Sequence, residues 1–96
     1  MNLGSTIKTL RKKKKLTQEE FAIECGITQT YLSQIENNLK EPNLATLKGI
    51  AEQFSLPLPI LFFLSMTDED VQPNKRKAFN LIDLSMKSLV NEFFKV

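Results

Sequence analysis

The chain of 96 residues contains no histidine and a single cysteine. These absences exclude an internal disulfide, a structural zinc site and acid–base catalysis by histidine. Three residues are glycine, and no glycine-rich loop that could cradle a phosphate group is present. The carboxylates are scattered over predicted helix surfaces or grouped at residues 68–70, so we expect no catalytic pair. The sequence therefore predicts a protein that is not an enzyme and that uses neither a metal nor a cofactor.

Long apolar runs are also missing. Residues 56–66 form an apolar stretch that falls well short of the ~20 residues that a transmembrane helix needs. No secretion signal is recognisable at the start of the chain. These features predict a cytoplasmic protein that does not contact a membrane. Net charge is only +2, so any binding to nucleic acid depends on where the basic side chains lie rather than on their total.

A capping box opens the clearest helical pattern. Thr17 is followed three residues later by Glu20, and in this pairing each side chain satisfies a backbone N–H that a starting helix leaves free. The pattern predicts a helix that begins at Gln18 and stops at Gly26, since glycine adopts the left-handed conformation that ends a helix. Its inward residues are expected to be Phe21, Ala22 and Cys25. For Cys25 we favour packing in the helix junction over a redox role, because free cysteines are commonly buried.

A second short helix is predicted directly after this glycine turn. Ile27 is interpreted as an apolar residue that holds the two helices at their mutual angle, and Thr28 as the cap of the second helix. Leu32 and Ile35 fall on its buried side. The opposite side carries amides and hydroxyls, from Gln29, Thr30, Ser33 and Gln34.

A helix face made of amides and hydroxyls suits the edges of DNA bases. Glutamine can pair bidentately with adenine, while the hydroxyl and methyl of threonine match several bases, and each good pair gives roughly 1–3 kcal/mol of discrimination. Taken singly, the four residues are ordinary exposed polar residues. Placed together at the start of the second helix of a helix-turn-helix pattern, they predict a surface that reads double-stranded DNA.

Basic residues flank this pattern on both sides. They lie in or just after the first helix of the chain and after the second helix of the motif, at Lys8, Arg11, residues 12–15, Lys40 and Lys48. A solvated basic face is the alternative explanation of such a run. Its position beside the motif instead predicts that it neutralises phosphates, with an affinity that falls as salt rises. We assign Lys12, Lys14 and Lys40 to the DNA backbone.

The remaining pattern is helical throughout. A first helix is expected to bury Leu3, Ile7 and Leu10. Asn43 is expected to cap a fourth helix. That helix should bury Leu44, Leu47, Ile50, Ala51 and Phe54. Residues 58–64, which include Phe62 and Phe63, are apolar on almost every side. Because one buried stripe is enough for a helix in a monomer, the additional apolar surface predicts contact with the tail of the same chain or with a second subunit.

Beyond a polar connector at residues 67–74, apolar residues recur at alternating intervals of three and four through residues 75–95. This seam consists of Phe79, Ile82, Met86, Leu89 and Phe93. It predicts a packing helix that helps to bury a surface between subunits. The alternative is that the helix packs only against the domain of its own chain. The chain thus divides into a DNA-binding domain at residues 1–66, the connector, and a C-terminal packing or dimerisation helix at residues 75–96.

Residues 7–62 resemble the helix-turn-helix domain shared by phage lambda-type repressors, Cro proteins and the XRE family of bacterial regulators. The matching residues are Arg11, Leu16-Thr17-Gln18, Ala22, Gly26, Ser33-Gln34-Ile35-Glu36-Asn37, Pro42, Leu47 and Ile50-Ala51. The resemblance implies an all-α, lambda-repressor-like fold of five helices with the third in the major groove, and here a C-terminal helix is added. Ser55 departs from the pattern, since many relatives have glycine there, and Pro57 and Pro59 make an unusual entry to the fifth helix.

Residue roles follow from the resemblance at matching positions. Gln18 resembles the residue that holds a DNA phosphate and buttresses the first reading residue. The base-reading positions of the family match Gln29, Thr30 and Gln34. Arg11 and Glu36 resemble an ion pair between the first and third helices. The residues that we place at the DNA backbone beside Gln18 and the lysines are Thr28, Tyr31 and Asn37.

Together these features predict a dimeric, sequence-specific transcription regulator that reads a pseudo-palindromic operator. A repressor, or the controller of a restriction-modification system, fits the short helical body. The alternatives are a DNA-binding antitoxin whose tail holds a toxin, and a protein-interaction module that no longer reads DNA. The expected partners are double-stranded DNA and a second subunit, with RNA polymerase or a toxin as further candidates.

Overall fold

The computed structural model of the protein describes residues 1–94, except for the side chain of Phe93. Six α-helices follow one another, namely α1 (Leu3–Lys13), α2 (Gln18–Cys25), α3 (Gln29–Glu36), α4 (Leu44–Gln53), α5 (Leu58–Ser65) and α6 (Arg76–Val90). Short 3-10 turns occupy Asp68–Asp70, Pro73–Lys75 and Asn91–Phe94. The described residues contain no strand, and the predicted all-α architecture of five helices with an additional C-terminal helix is confirmed.

Side-chain caps set the starts of the first four helices. In α2 the hydroxyl of Thr17 accepts from the Glu20 amide at 3.1 Å, while the Glu20 carboxylate accepts from the Thr17 amide at 2.9 Å. The predicted capping box is therefore confirmed. The other three helices are capped by the side chains of Asn2, Thr28 and Asn43. Each cap satisfies one of the N–H groups that a helix start leaves unpaired.

The first five helices enclose one hydrophobic core. Each contributes a side chain with no exposed surface: Ile7, Phe21, Leu32, Ile50 and Leu61. The rings of Phe21 and Phe54 stack with 4.8 Å between centroids, which joins α2 to the end of α4. The prediction that Leu44 faces inward is wrong, since this side chain is 55% exposed. Leu44 is the first residue of α4 and lies beyond the edge of the core, so the buried stripe of the helix starts at Leu47.

A left-handed residue follows the end of α4. Ser55 has a φ of 56°. Its amide donates to the Glu52 carbonyl at 2.9 Å, and the Leu56 amide donates to the Ala51 carbonyl at 3.0 Å. This pair of bonds is a Schellman ending, in which glycine is favoured because a Cβ is strained at positive φ. The geometry accounts for the glycine that the family resemblance leads one to expect at this position.

Replacing Ser55 with glycine is expected to stabilise the protein by about 0.5–1 kcal/mol, since the strain relieved exceeds the added freedom of glycine in the unfolded chain. Thermal unfolding followed by circular dichroism should show a midpoint a few degrees higher. Ser55→Ala keeps the Cβ and is the matched control, for which no rise is expected. A lower midpoint for the glycine variant would contradict the assigned strain.

The inward side of α6 packs against α5, and Val90 at the C-terminal end of α6 joins the core. Phe79 and Val90 are buried, and the Phe79 ring lies 5.6 Å from that of Phe63 between centroids. At its far end the 3-10 turn of residues 91–94 is held by Asn91, whose side-chain oxygen accepts from the Lys13 ammonium at 2.9 Å. Within residues 1–94 no single helix is long and apolar enough to cross a membrane, and α4 and α5 reach that length only as a pair bent by 95°.

The observed packing divides the seam that the sequence predicts for α6. Phe79 and Met86 face the domain, whereas Ile82 and Leu89 are 54% and 62% exposed. The fifth member, Phe93, lies outside the described side chains. The inward stripe instead runs through Phe79, Asp83, Met86 and Val90. The Asp83 carboxylate in this stripe pairs through Oδ2 with the Lys87 ammonium at 2.9 Å, while its Oδ1 is buried without a hydrogen-bond partner among the described residues. This finding corrects the prediction of a single packing surface.

Candidate nucleic-acid interface

The junction between α2 and α3 is short and fixed by backbone geometry. Gly26 has a φ of 70°, in the left-handed region, and ends α2 as predicted. The Ile27 amide donates to the Ala22 carbonyl at 3.0 Å, and the Ile27 side chain packs against the core. Thr28 then caps α3 by accepting from the Tyr31 amide at 3.0 Å. The angle of α3 to α2 is therefore set by bonds within a few residues.

α3 has one buried side and one outer side. Leu32, Ile35 and Glu36 are buried. The outer side brings together the four side chains assigned to base reading, with Gln29 and Thr30 exposed and Ser33 and Gln34 half-buried. A helix of this kind, exposed on one side and fixed to the core on the other, has the shape that fits a DNA major groove.

A buried polar network holds α3 to the first two helices. The Arg11 guanidinium donates from Nε to Glu36 Oε2 at 2.8 Å and from Nη2 to Glu36 Oε1 at 3.0 Å. The two side chains are only 8% and 1% exposed. Arg11 Nη1 also donates to the Leu16 carbonyl at 2.7 Å. The structure thus brings the two residues of the expected ion pair together in a bidentate contact.

Gln18 joins the same network from the start of α2. Its side-chain amide donates to Glu36 Oε1 at 3.1 Å, and the residue is half-buried. One carboxylate therefore binds side chains from α1 and α2 at once. Because Gln18 is fixed in this way at the edge of α3, its remaining amide hydrogen and its oxygen are oriented before any ligand arrives.

The residues after α3 are tied back to it. The Asn37 side-chain amide donates to the Ser33 carbonyl at 2.9 Å and lies 3.4 Å from the Ser33 hydroxyl. The amides of Leu39 and Lys40 both donate to the Gln34 carbonyl, at 2.8 and 3.2 Å. Asn37 and Lys40 are exposed beside the outer side of α3, where the family resemblance places contacts with the sugar-phosphate backbone.

Only some of the lysines that the sequence assigns to the DNA backbone are available for that contact. Lys12 is exposed on α1. The Lys14 ammonium instead donates to the Gln53 carbonyl at 2.7 Å and lies 3.8 Å from Glu24 Oε2. A cation at the carbonyl end of α4 is favourable because it compensates the helix dipole. We therefore assign Lys14 to the packing of α1 against α4 and α2 rather than to DNA.

Two assigned residues have structural contacts as well. The Thr28 hydroxyl accepts the capping bond of α3, and its own hydrogen can still be donated to another acceptor. Tyr31 is half-buried and packs against the core. Both residues lie in the first turn of α3 or just before it, so a phosphate contact from either would fix how deeply the helix sits.

Cys25 is half-buried at the end of α2. The pKa of its thiol is raised to about 11, chiefly by burial and also by the Glu24 carboxylate, while Lys14 opposes the change. The thiol is thus protonated at neutral pH, and the thiolate is the form that reacts. The packing interpretation of Cys25 is therefore favoured over the redox one.

Sequence reasoning missed a contact between the start of α1 and the end of α3. Asn38, with a φ of 58°, accepts from the Gly4 amide at 3.2 Å and donates to the Asn2 side chain at 2.9 Å. A Cβ on Gly4 would lie 2.4 Å from the Ile35 carbonyl oxygen. The available signal was a glycine inside a predicted helix, which costs stability unless two backbones approach closely there.

Comparison with known proteins assigns a family to this arrangement. A family model described as "Helix-turn-helix" matches residues 7–61, which include α2, α3 and most of the core. No solved structure matches the chain.

Curated relatives carry the names of regulators. The chain is 46% identical over 59 residues to the "ImmF control region 10 kDa protein" of Bacillus phage phi105, covering 62% of this chain and 66% of the relative. It is 39% identical over 51 residues to the "Immunity repressor protein" of the same phage, covering 53% of this chain and 35% of the relative. The "Control protein C.MunI" of Mycoplasma sp is 36% identical over 63 residues, or 65% of this chain and 85% of the relative. The chain thus spans about a third of the phage repressor's length.

Proposed function

This chain belongs to the helix-turn-helix family of transcription regulators, and from that premise we propose that two protomers read a pseudo-palindromic operator through α3. The chain is a DNA-binding regulator and not an enzyme. The observation that carries the proposal is the outer side of α3, where amides and hydroxyls stand together on a helix fixed by a buried ion pair. Such side chains match the donors and acceptors of base edges in the major groove.

Gln29, Thr30, Ser33 and Gln34 are the proposed base-reading residues. Glutamine pairs with adenine through both of its amide groups, which is the geometry that gives sequence discrimination. Lys12, Asn37 and Lys40, with Gln18, Thr28 and Tyr31, are proposed to hold the phosphates. Contacts to phosphate position the helix and carry no sequence information themselves.

A two-fold dimer is the proposed form on DNA. Two α3 helices about 34 Å apart would enter successive major grooves and read half-sites about 10 base pairs apart. Binding of such a dimer regulates by occupancy, since it blocks RNA polymerase or contacts it from an upstream site. The proposed location is the cytoplasm, where the DNA of a bacterial cell or a resident phage is found.

Replacing Gln29 or Gln34 with alanine is expected to lower affinity for the operator by about 5- to 150-fold, equivalent to 1–3 kcal/mol. Affinity for random duplex DNA should be almost unchanged, because that binding depends on phosphate contacts. The operator is first obtained by selection of bound duplexes from a random pool. Fluorescence anisotropy then measures both affinities for each variant.

Lys40→Ala is the control for this experiment. This variant should lose affinity for the operator and for random DNA to a similar extent. The slope of log affinity against log salt should become shallower by about one. An equal loss on both DNAs for the glutamine variants would remove them from the base-reading set.

A repressor or a restriction-modification controller is the proposed biological role. The phage relatives are named as a repressor and a control-region protein, and the relative that this chain covers most fully of the three is named a control protein. The antitoxin alternative requires a surface for a toxin, and the module that no longer reads DNA requires loss of the outer amides of α3. Those amides are present, which favours a protein that reads DNA over the module that does not.

A further inference from the structure

Ser33 differs from the other proposed base-reading residues because its side chain is bonded to a neighbour. Its hydroxyl oxygen accepts from the Asn37 side-chain amide at 3.4 Å. The same amino group donates to the Ser33 carbonyl at 2.9 Å. In the described part of the chain, the side chains of Gln29, Thr30 and Gln34 make no hydrogen bond. The orientation of the Ser33 hydroxyl is therefore influenced by the protein before DNA arrives.

The hydrogen of the Ser33 hydroxyl is not used inside the helix. A serine in a helix can donate this hydrogen to the carbonyl four residues earlier. Ser65 of α5 does so, with 2.9 Å between its hydroxyl oxygen and the Leu61 carbonyl oxygen. Among the described residues no acceptor takes the hydrogen of Ser33. This hydroxyl therefore keeps a donor for a ligand.

Asn37 determines which way that hydrogen points. The Ser33 carbonyl can only accept, so the Asn37 amide must face it with its nitrogen, and the same nitrogen then meets the hydroxyl oxygen. An amino group can only donate, so it occupies one lone pair of the hydroxyl oxygen and repels the hydroxyl hydrogen. The hydrogen turns away from Asn37, and Ser33 presents a donor on the outer side of α3.

A donor at this position distinguishes between bases. In the major groove guanine presents the acceptors N7 and O6 and thymine presents O4, whereas cytosine presents only its N4 amino group. A hydroxyl that donates can bond to guanine or thymine. At cytosine it would place one donor against another. Adenine, which has an acceptor at N7 and a donor at N6, is intermediate.

We propose that Asn37 is a positioning residue that makes Ser33 a hydrogen-bond donor, so that the operator base facing Ser33 is guanine or thymine and cytosine is excluded. The inference rests on the proposed function and identifies the chemical preference of one of its reading residues. It gives Asn37 a role in specificity in addition to the phosphate contact proposed above. The second hydrogen of its amino group and its side-chain oxygen remain available for that contact.

A phosphate contact alone is the rival role of Asn37. Phosphates are the same at every base pair, so the loss of such a contact lowers affinity for all sequences equally. The loss of positioning instead lowers the preference for one base in each half-site. The preference at that position is therefore the quantity that distinguishes the two roles.

Operator duplexes that differ at one base pair test the proposal. The operator is obtained by selection from a random pool, and the position read by Ser33 is the one at which Ser33→Ala loses its preference. Four duplexes that carry each base at that position are then compared by fluorescence anisotropy. The wild type should bind the cytosine duplex about 2- to 10-fold more weakly than the better of the guanine and thymine duplexes, as expected for one hydrogen bond.

Asn37→Ala should reduce the preference at the same position as Ser33→Ala does. The double variant Ser33→Ala/Asn37→Ala should show no further loss of preference, because Asn37 acts through Ser33. Lys40→Ala is the control, which should lower affinity for all four duplexes and leave their ratios unchanged. Circular dichroism checks that each variant is folded.

The inference fails if Asn37→Ala lowers affinity for the four duplexes equally, or if the wild type prefers cytosine at the position read by Ser33. It also fails if the double variant loses more preference than Ser33→Ala, since Asn37 would then act independently of Ser33. If Ser33→Ala changes the preference at no position, Ser33 leaves the base-reading set and the inference falls with it.

Nuclear magnetic resonance of the DNA-free chain tests the bond itself. The side-chain amide hydrogens of Asn37 should exchange with water more slowly than those of Asn80, an exposed asparagine of α6 that makes no side-chain hydrogen bond to any described residue. Ser33→Ala should shift the side-chain amide signals of Asn37 and leave those of Asn80 in place. Equal exchange rates, or unshifted Asn37 signals, would overturn the positioning role.

The failure of this inference is distinguishable from the failure of the proposed function. A wild-type chain that selects no sequence from the pool would defeat the proposed function, and with it the reading role of Ser33. A chain that selects an operator, but in which Asn37→Ala leaves the base preferences intact, would defeat the inference alone. The proposed function would then stand on Gln29 and Gln34.

Discussion

Arg11→Met is expected to destabilise the domain by about 3–5 kcal/mol, because it leaves the Glu36 carboxylate buried without its cation. Glu36 is 1% exposed at its side chain, so water cannot replace the two lost bonds. The Leu16 carbonyl loses its donor as well. Each kcal/mol shifts the thermal midpoint of a domain of this size by about 4–8 °C. The midpoint of Arg11→Met should therefore be lower than that of the wild type by more than about 10 °C. Urea unfolding followed at 222 nm measures the free energy directly.

Glu24→Gln is the matched control. It also removes one charge of an ion pair, but the Lys14 and Glu24 side chains are 28% and 41% exposed and lie 3.8 Å apart. Exposed pairs contribute about 0–1 kcal/mol, so the two variants should differ by several-fold in their effect. Arg11→Met/Glu36→Met should recover part of the loss, because a buried pair replaced on both sides leaves no isolated charge. Similar free energies of unfolding for Arg11→Met and the wild type would show that the pair does not hold α3.

Gly4→Ala is the second substitution with a large expected effect. The added Cβ would meet the carbonyl oxygens of Ile35 and Glu36 at 2.4 and 2.7 Å, and the side-chain oxygen of Asn38 at 2.7 Å. Two of these atoms belong to the backbone at the end of α3 and cannot turn aside. Relief of the clash requires α1 and α3 to separate, and overpacking of this kind costs about 1–3 kcal/mol or more.

The same substitution at Gly49 provides the control. A Cβ there would have no atom within 4 Å, and the residue lies in the middle of α4. Gly49→Ala should therefore stabilise the protein by about 0.5–1 kcal/mol, since alanine is the better helix former. The two variants change one methyl group each and should move the free energy of unfolding in opposite directions. Equal effects of the same sign would contradict the close approach of α1 to α3.

Local features of the fold were predictable from the sequence. Thr17, Thr28 and Asn43 identify helix starts because a capping side chain bonds to amides only two or three residues away. Gly26 identifies the turn for a similar reason, since positive φ is a property of one residue. The outer side of α3 follows from the positions of Leu32 and Ile35, which fix the buried side of a helix within two turns.

Features that depend on distant parts of the chain were not predictable in this way. The side chain of Lys14 binds a carbonyl 39 residues away, and nothing in a run of lysines distinguishes that one from its neighbours. Leu44 fits the spacing of a buried stripe, yet the core ends before it. In α6 the apolar residues occupy two sides, and which of these faces the domain depends on α5. The Gly4 contact with α3 likewise joins residues more than thirty positions apart.

The raised pKa of Cys25 has a consequence for how this regulator responds to its surroundings. Thiolates are the nucleophiles that attack peroxides and disulfides, and a thiol with a pKa of about 11 supplies very few of them at neutral pH. Oxidation of Cys25 is therefore expected to be slow, and its packing at the junction between α2 and α3 is expected to persist in the presence of mild oxidants.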